Sequence, residues 1–135
     1  MAPAQALAVL ILSAIGFLHV FWAVRGKGVS GTVVPTVEGK LLFVPGRMAT
    51  AWVGVGLLAV AAVLLDRMFK LSMLSASISK RICLLFALIF FLRAVGEFNY
   101  LGFFKRSRDT KFAYWDTRVF SPLSLLLAIL MALSV

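Results

Sequence analysis

Arg93 and Glu97 stand four residues apart in LRAVGEFNY, directly behind the apolar run ICLLFALIFF. If that run is a helix reaching Phe104, the two side chains lie one above the other on one face and can neutralise each other. Tyr100 and Phe104 fall on the same face, and Asn99 points away. An arginine at such depth can hold an anion or a lipid headgroup. The chain's one histidine, His19, lies in the first apolar segment. Counted from Ala4 it is about 22 Å along, level with Glu97 counted from Ile82. A carboxylate and an imidazole within hydrogen-bond reach can relay a proton. Trp22 shares the His19 face, and Asp116 and Arg118 stand where a fourth apolar segment begins. The expected cluster is therefore His19, Trp22, Arg93, Glu97 and Tyr100, with Asp116 and Arg118 at its mouth.

These residues need elements to position them. Of 135 residues, 62% are hydrophobic and 14% charged, against roughly 25% charged in soluble domains, so the composition is that of an integral membrane protein. The expected fold is an all-α bundle of four transmembrane helices, forming a single transmembrane domain over 1–135. Its spans are about 4–24, 49–65, 82–104 and 117–135. MAPAQALAV lacks a basic leader, which predicts a retained first span rather than a signal peptide. The first loop contains two β-prone runs, TVVPTV and KLLFV, around Glu38-Gly39. They predict a short β-hairpin-like or extended flap, with an irregular loop as the alternative, and Pro45-Gly46 turns the chain into the second helix.

Small residues mark the helix contacts. Ala8, Gly16 and Ala23 line one face of the first helix, and Thr50 with Gly54 forms a small-xxx-small pair on the second. Charge sets the orientation. The first loop holds Arg25, Lys27, Lys40 and Arg47, and the third holds Lys105, Arg106, Arg108, Lys111 and Arg118. The second holds Arg67, Lys70, Lys80 and Arg81. The positive-inside rule then predicts loops one and three in the cytoplasm and both termini outside.

A net charge of +9 without a nucleic-acid-reading motif fits anionic headgroups better than nucleic acid as partner. Cys83 is the single cysteine, which excludes an intrachain disulfide. With one histidine, the usual His/Cys metal sites are excluded too. No cofactor is expected. Trp22, Trp52, Tyr114 and Trp115 read as interfacial anchors rather than stacking platforms.

Four segments carry a family resemblance: LHVFWAV, VEGKLLFVPGRMAT, LRAVGEFNYLGFFK and TKFAYWDTRVFSPLSLLL. Together they resemble the DUF3995-like family of small four-span bacterial membrane proteins of unknown function. The resemblance implies a multi-pass protein of the bacterial inner membrane, and brings no activity or catalytic residue. That family usually reads Gly-Gly soon after the Trp-Ala of the first helix. Here Lys27 separates Gly26 from Gly28, so the tight turn there is expected to differ.

Three functions fit these residues. The first is a binding or transport module whose polar pocket takes a small amphipathic molecule, a lipid headgroup or an anion. The second is a structural or assembly subunit, a homo-oligomer or a companion of another membrane protein, whose Arg-Glu-His network only fixes packing. The third is an isomerase-type enzyme using His19 and Glu97 as acid and base.

Overall fold

The computed structural model describes residues 2–26 and 30–135. Its order is α1 (Ala2–Arg25), the strands β1 (Thr36–Val37) and β2 (Lys40–Leu41), α2 (Arg47–Phe69) and α3 (Ala76–Val95). The short α4 (Lys111–Trp115), a π-helical turn (Asp116–Phe120) and α5 (Ser121–Leu133) then form one continuous rod. Pro3–Arg25, Arg47–Phe69 and Lys111–Leu133 are long and apolar enough to cross a membrane. The remaining long helix, α3, is less uniformly apolar because it carries Lys80, Arg81 and Arg93.

The helices alternate in direction. Gln5 near the start of α1 and Arg67 near the end of α2 both donate to the carbonyl of Ser134, just past α5, at 3.5 and 3.1 Å. Ser79 of α3 lines a shallow recess with Gln5 and Arg67, so four helix ends gather at this end of the bundle. Buried Asp66 shapes the second loop, accepting from the N–H groups of Met73 at 2.9 Å and Leu74 at 3.2 Å. Ser75 then caps α3, accepting from the Ile78 N–H at 3.3 Å.

Packing intersperses small residues among Leu and Met inside and turns aromatic and other large residues outside. Ala8, Ala61, Cys83 and Ala87 lie in the core with Leu12 and Leu127, whereas Phe17, Phe21, Trp52 and Leu85 face outward. This arrangement suits lipid surroundings, in which backbones associate closely and bulky side chains meet acyl chains. The α1–α2 contact is the tightest case. A Cβ on Gly54 would lie 2.8 Å from the Gly16 carbonyl oxygen, so the small faces expected from the sequence do meet.

The expected flap exists as a two-stranded antiparallel hairpin pairing Thr36 with Leu41 and Val37 with Lys40. Positive φ at Glu38 and Gly39 makes its two-residue turn. Lys27 and Gly28, on which the altered tight turn was expected, lie outside the described residues.

The third span is the main correction. In place of 82–104, α3 runs from Ala76 to Val95 and ends at Gly96, whose φ of 85° and ψ of −176° suit only glycine. Its N–H donates to the Leu92 carbonyl at 2.8 Å. The chain then folds back on the helix end, with the Phe103 N–H donating to the Ala94 carbonyl at 2.8 Å. A Cβ on Gly102 would lie 2.2 Å from the Val95 carbonyl oxygen, and one on Gly96 would lie 1.9 Å from that of Leu101. Two glycines six residues apart are thus what allow the backbone to cross itself here.

Candidate functional site

The end of the bundle that carries the first and third loops holds two polar regions of different construction. The first surrounds Asp116, which opens the π-helical turn and is fully buried. Thr110 caps α4 by accepting from the Ala113 N–H at 3.0 Å, which starts the rod that carries Asp116. One carboxylate oxygen accepts from Arg93 Nη2 at 2.7 Å. The other accepts from the Gly102 N–H at 2.8 Å and from Lys105 Nζ at 3.0 Å. Lys105 also donates to the Gly102 carbonyl at 2.8 Å and to Thr117 Oγ1 at 2.6 Å, so all three ammonium protons have acceptors.

The Lys105 and Asp116 side chains are 1% and 0% exposed, and that of Arg93 is 31% exposed. Desolvation on this scale is tolerable only for charges so fully paired. Arg93 is the looser partner, with Nη1 buried and unpaired among the described residues. Chemically this is a clasp that ties the end of α3, the re-entrant loop and the rod together.

The second region is a half-open cavity of about 980 Å³ beneath the flap. His19 and Trp22 of α1, Val34 and Phe43 of the first loop, and Arg47 and Thr50 of α2 form its main walls. His19 Nδ1 lies 2.8 Å from the Ile15 carbonyl, one turn back on its own helix. A carbonyl only accepts, so Nδ1 carries the proton and Nε2 is the nitrogen left for other contacts. The ring tilts against Trp22 with centroids 5.5 Å apart. Arg47 donates through Nε to the Ala23 carbonyl at 2.9 Å and through Nη2 to that of Val24 at 2.7 Å, fastening the start of α2 to the end of α1. The Thr50 hydroxyl donates to the Gly46 carbonyl at 3.0 Å. The volume lies in the usual range for small-molecule pockets, and the walls are mostly apolar with a few fixed polar groups.

The cluster expected from the sequence is therefore divided. His19 and Trp22 meet at the cavity, and Arg93 and Asp116 meet in the clasp. Glu97 joins neither. It lies beyond α3, exposed, and one of its carboxylate oxygens accepts from the backbone N–H groups of Tyr100 and Leu101. These contacts, the Tyr100 N–H foremost, hold its carboxyl below its ordinary value of 4.5. The helical pairing of Arg93 with Glu97 is thus replaced by Arg93 with Asp116. The expected meeting of His19 and Glu97 is replaced by separate backbone contacts for each. Arg93 is also nearer the helix end than expected: it lies in the last turn of α3, not near its middle. Tyr100 contributes its backbone to the Glu97 turn. Arg118 turns outward, its guanidinium carbon 3.9 Å from the centre of the Tyr114 ring.

Sequence reasoning missed Lys105, Thr117 and Arg47 as site members. Lys105 was hidden among other loop cations. The available signal was Asp116, a lone acid at the entry of a span beside a basic loop, which would draw a cation from it.

Comparison with known proteins gives one family. No curated protein and no solved structure matches the chain. The family described as protein of unknown function, DUF3995, matches residues 12–131, from the middle of α1 nearly to the end of α5, and the chain belongs to that family.

Proposed function

We propose that this protein is a small multi-pass membrane protein that binds a small amphipathic molecule in the cavity beneath the flap, as a binding or transport module. The observation that carries this reading is the cavity: an apolar wall with His19 and Arg47 on its border, roofed by Val34 and Phe43 of the first loop. An apolar body can lie against the walls while its polar end reaches one of these groups.

The proposal includes four spans in a bacterial inner membrane. In α3 the cations stand near the two ends, Lys80 and Arg81 at one and Arg93 at the other, leaving Ile82–Leu92 apolar between them. Long basic side chains in those positions reach the headgroup layer. Loops one and three then face the cytoplasm, where their cations meet anionic headgroups. Transport in particular would take more than one copy, since four helices enclose no wide path.

The clasp favours a second reading for its own residues. Arg93, Lys105 and Asp116 are engaged with one another, which supports a packing role and, for the whole chain, an assembly subunit as the alternative function. An isomerase built on His19 and Glu97 lacks the hydrogen bond that such a pair needs.

The test uses Trp22 as a reporter in the Trp52→Phe/Trp115→Phe protein. Amphiphiles titrated into the protein in phosphatidylcholine nanodiscs should shift Trp22 emission saturably, and Ala49→Phe, placed on the cavity wall, should abolish the shift. A linear, unsaturable response unaffected by Ala49→Phe would leave only lipid partitioning and would remove the binding function.

A further inference from the structure

We propose that the molecule taken by this cavity is a single-chain amphiphile with a carboxylate head, and that Arg47 is the residue that selects it. The inference rests on the binding role proposed for the cavity and adds the chemistry of its occupant.

The polar groups on the cavity border differ in what they have left to give. The Thr50 hydroxyl is engaged with the Gly46 carbonyl, and His19 Nδ1 with that of Ile15. Arg47 uses Nε and Nη2 on the end of α1, and these two bonds hold its guanidinium in place. Nη1 is the guanidinium nitrogen not engaged by them. No acidic side chain lines the cavity among the described residues, so this positive charge has no counter-ion at the site.

Arg47 is exposed on the cavity border, and a cation held in place there favours an anionic head and disfavours a cationic one. One cation balances one carboxylate. A dianionic phosphate would carry a second negative charge, and among the described lining residues there is no second lysine or arginine to balance it. His19 lies four residues before Ala23, about 6 Å further along α1 from the Arg47 contact. A head at Arg47 therefore leaves the His19–Trp22 pair against the part of the ligand just behind it.

The experiment keeps the tail constant and changes the head. Laurate, lauryl alcohol and lauryl trimethylammonium are titrated against the Trp22 reporter protein in phosphatidylcholine nanodiscs. Laurate should bind about tenfold more tightly than the alcohol, the scale of one charge-assisted contact, and the ammonium compound should bind worst. Arg47→Gln should bring laurate to within about twofold of the alcohol, and Arg47→Lys should retain part of the preference.

Equal binding of laurate and alcohol by the unaltered protein would overturn the inference and leave the binding role standing. Saturable binding of none of the three would overturn both. A laurate preference that survives Arg47→Gln would also overturn the assignment to Arg47. If Arg47→Gln does not fold, because the end of α1 is released, the head series on the unaltered protein decides whether the site selects carboxylates, and Arg47→Lys decides the residue. Lauryl phosphate forms a further arm: binding tighter than laurate would overturn the choice of a carboxylate.

Discussion

The clasp around Asp116 and the cavity beside His19 lie at the same end of the molecule, yet they use polar groups in opposite ways. In the clasp, Lys105 donates all three protons to protein acceptors and Asp116 receives three donors. In the cavity, each polar side chain is anchored at one edge, with His19 Nε2 and Arg47 Nη1 left over among the described residues. A fully used polar group such as Lys105 or Asp116 holds a fold together, while a partly used and fixed one on an open cavity is available to a ligand; Arg93, with Nη1 buried and unpaired among the described residues, falls between the two. Charge type alone does not separate the two, since each region contains an arginine.

Substitutions test that contrast by their effect on stability in detergent, followed by thermal unfolding. The largest loss should come from Asp116→Ala, which leaves buried Lys105 and Arg93 without their counter-ion and should cost about 3–5 kcal/mol. Unfolding unchanged from the parent would mean that these cations find other partners. Next should be Gly102→Ala, whose added Cβ meets the Val95 carbonyl at a positive φ; backbone strain alone amounts to about 1–3 kcal/mol.

Glu97→Gln should cost less, about 0.5–1 kcal/mol, because it weakens an exposed turn and uncovers no buried charge. The same carboxylate gives a pH dependence. Its folded value lies below the ordinary 4.5, so its stabilisation is complete above that value and fades as pH falls through the folded one. The unaltered protein should therefore lose more stability than Glu97→Gln on acidification from pH 5 to about pH 3. Parallel losses would remove this role. Arg118→Ala should have the smallest effect, below about 1 kcal/mol, since it ends only an exposed stacking contact with Tyr114.

Much of the scaffold is legible in the sequence. Apolar runs locate the helices, β-prone runs around Glu38-Gly39 locate the hairpin, and small residues at Gly16 and Gly54 locate the closest helix contact. The third helix is misread because GEFNYLGFF, although less apolar than the span before it, carries four aromatic residues that extend the run. Hydropathy does not register that Gly96 and Gly102 permit a backbone crossing. That single error moves Glu97 off a helix face and hides the route by which Lys105 reaches Asp116. Trp22 and His19 stay beside each other because that depends only on one helix repeat, although the expected meeting of His19 with Glu97 is lost. The clasp depends on three segments meeting, which no local spacing encodes.

The π-helical turn at Asp116–Phe120 sets an angle as well as a path. The Ser121 N–H reaches back five residues to the Asp116 carbonyl, so the turn holds one residue more than an α-helix would. Winding the same five residues as regular α-helix would look harmless by itself. It would also rotate everything before the turn by about 100° relative to α5, the angle of one helical residue. Asp116 would swing away from Lys105 and Arg93 while Leu127 and Met131 kept their places in the core. The extra residue acts as a fixed azimuthal offset, letting one rod present an acid in one direction and an apolar seam in another.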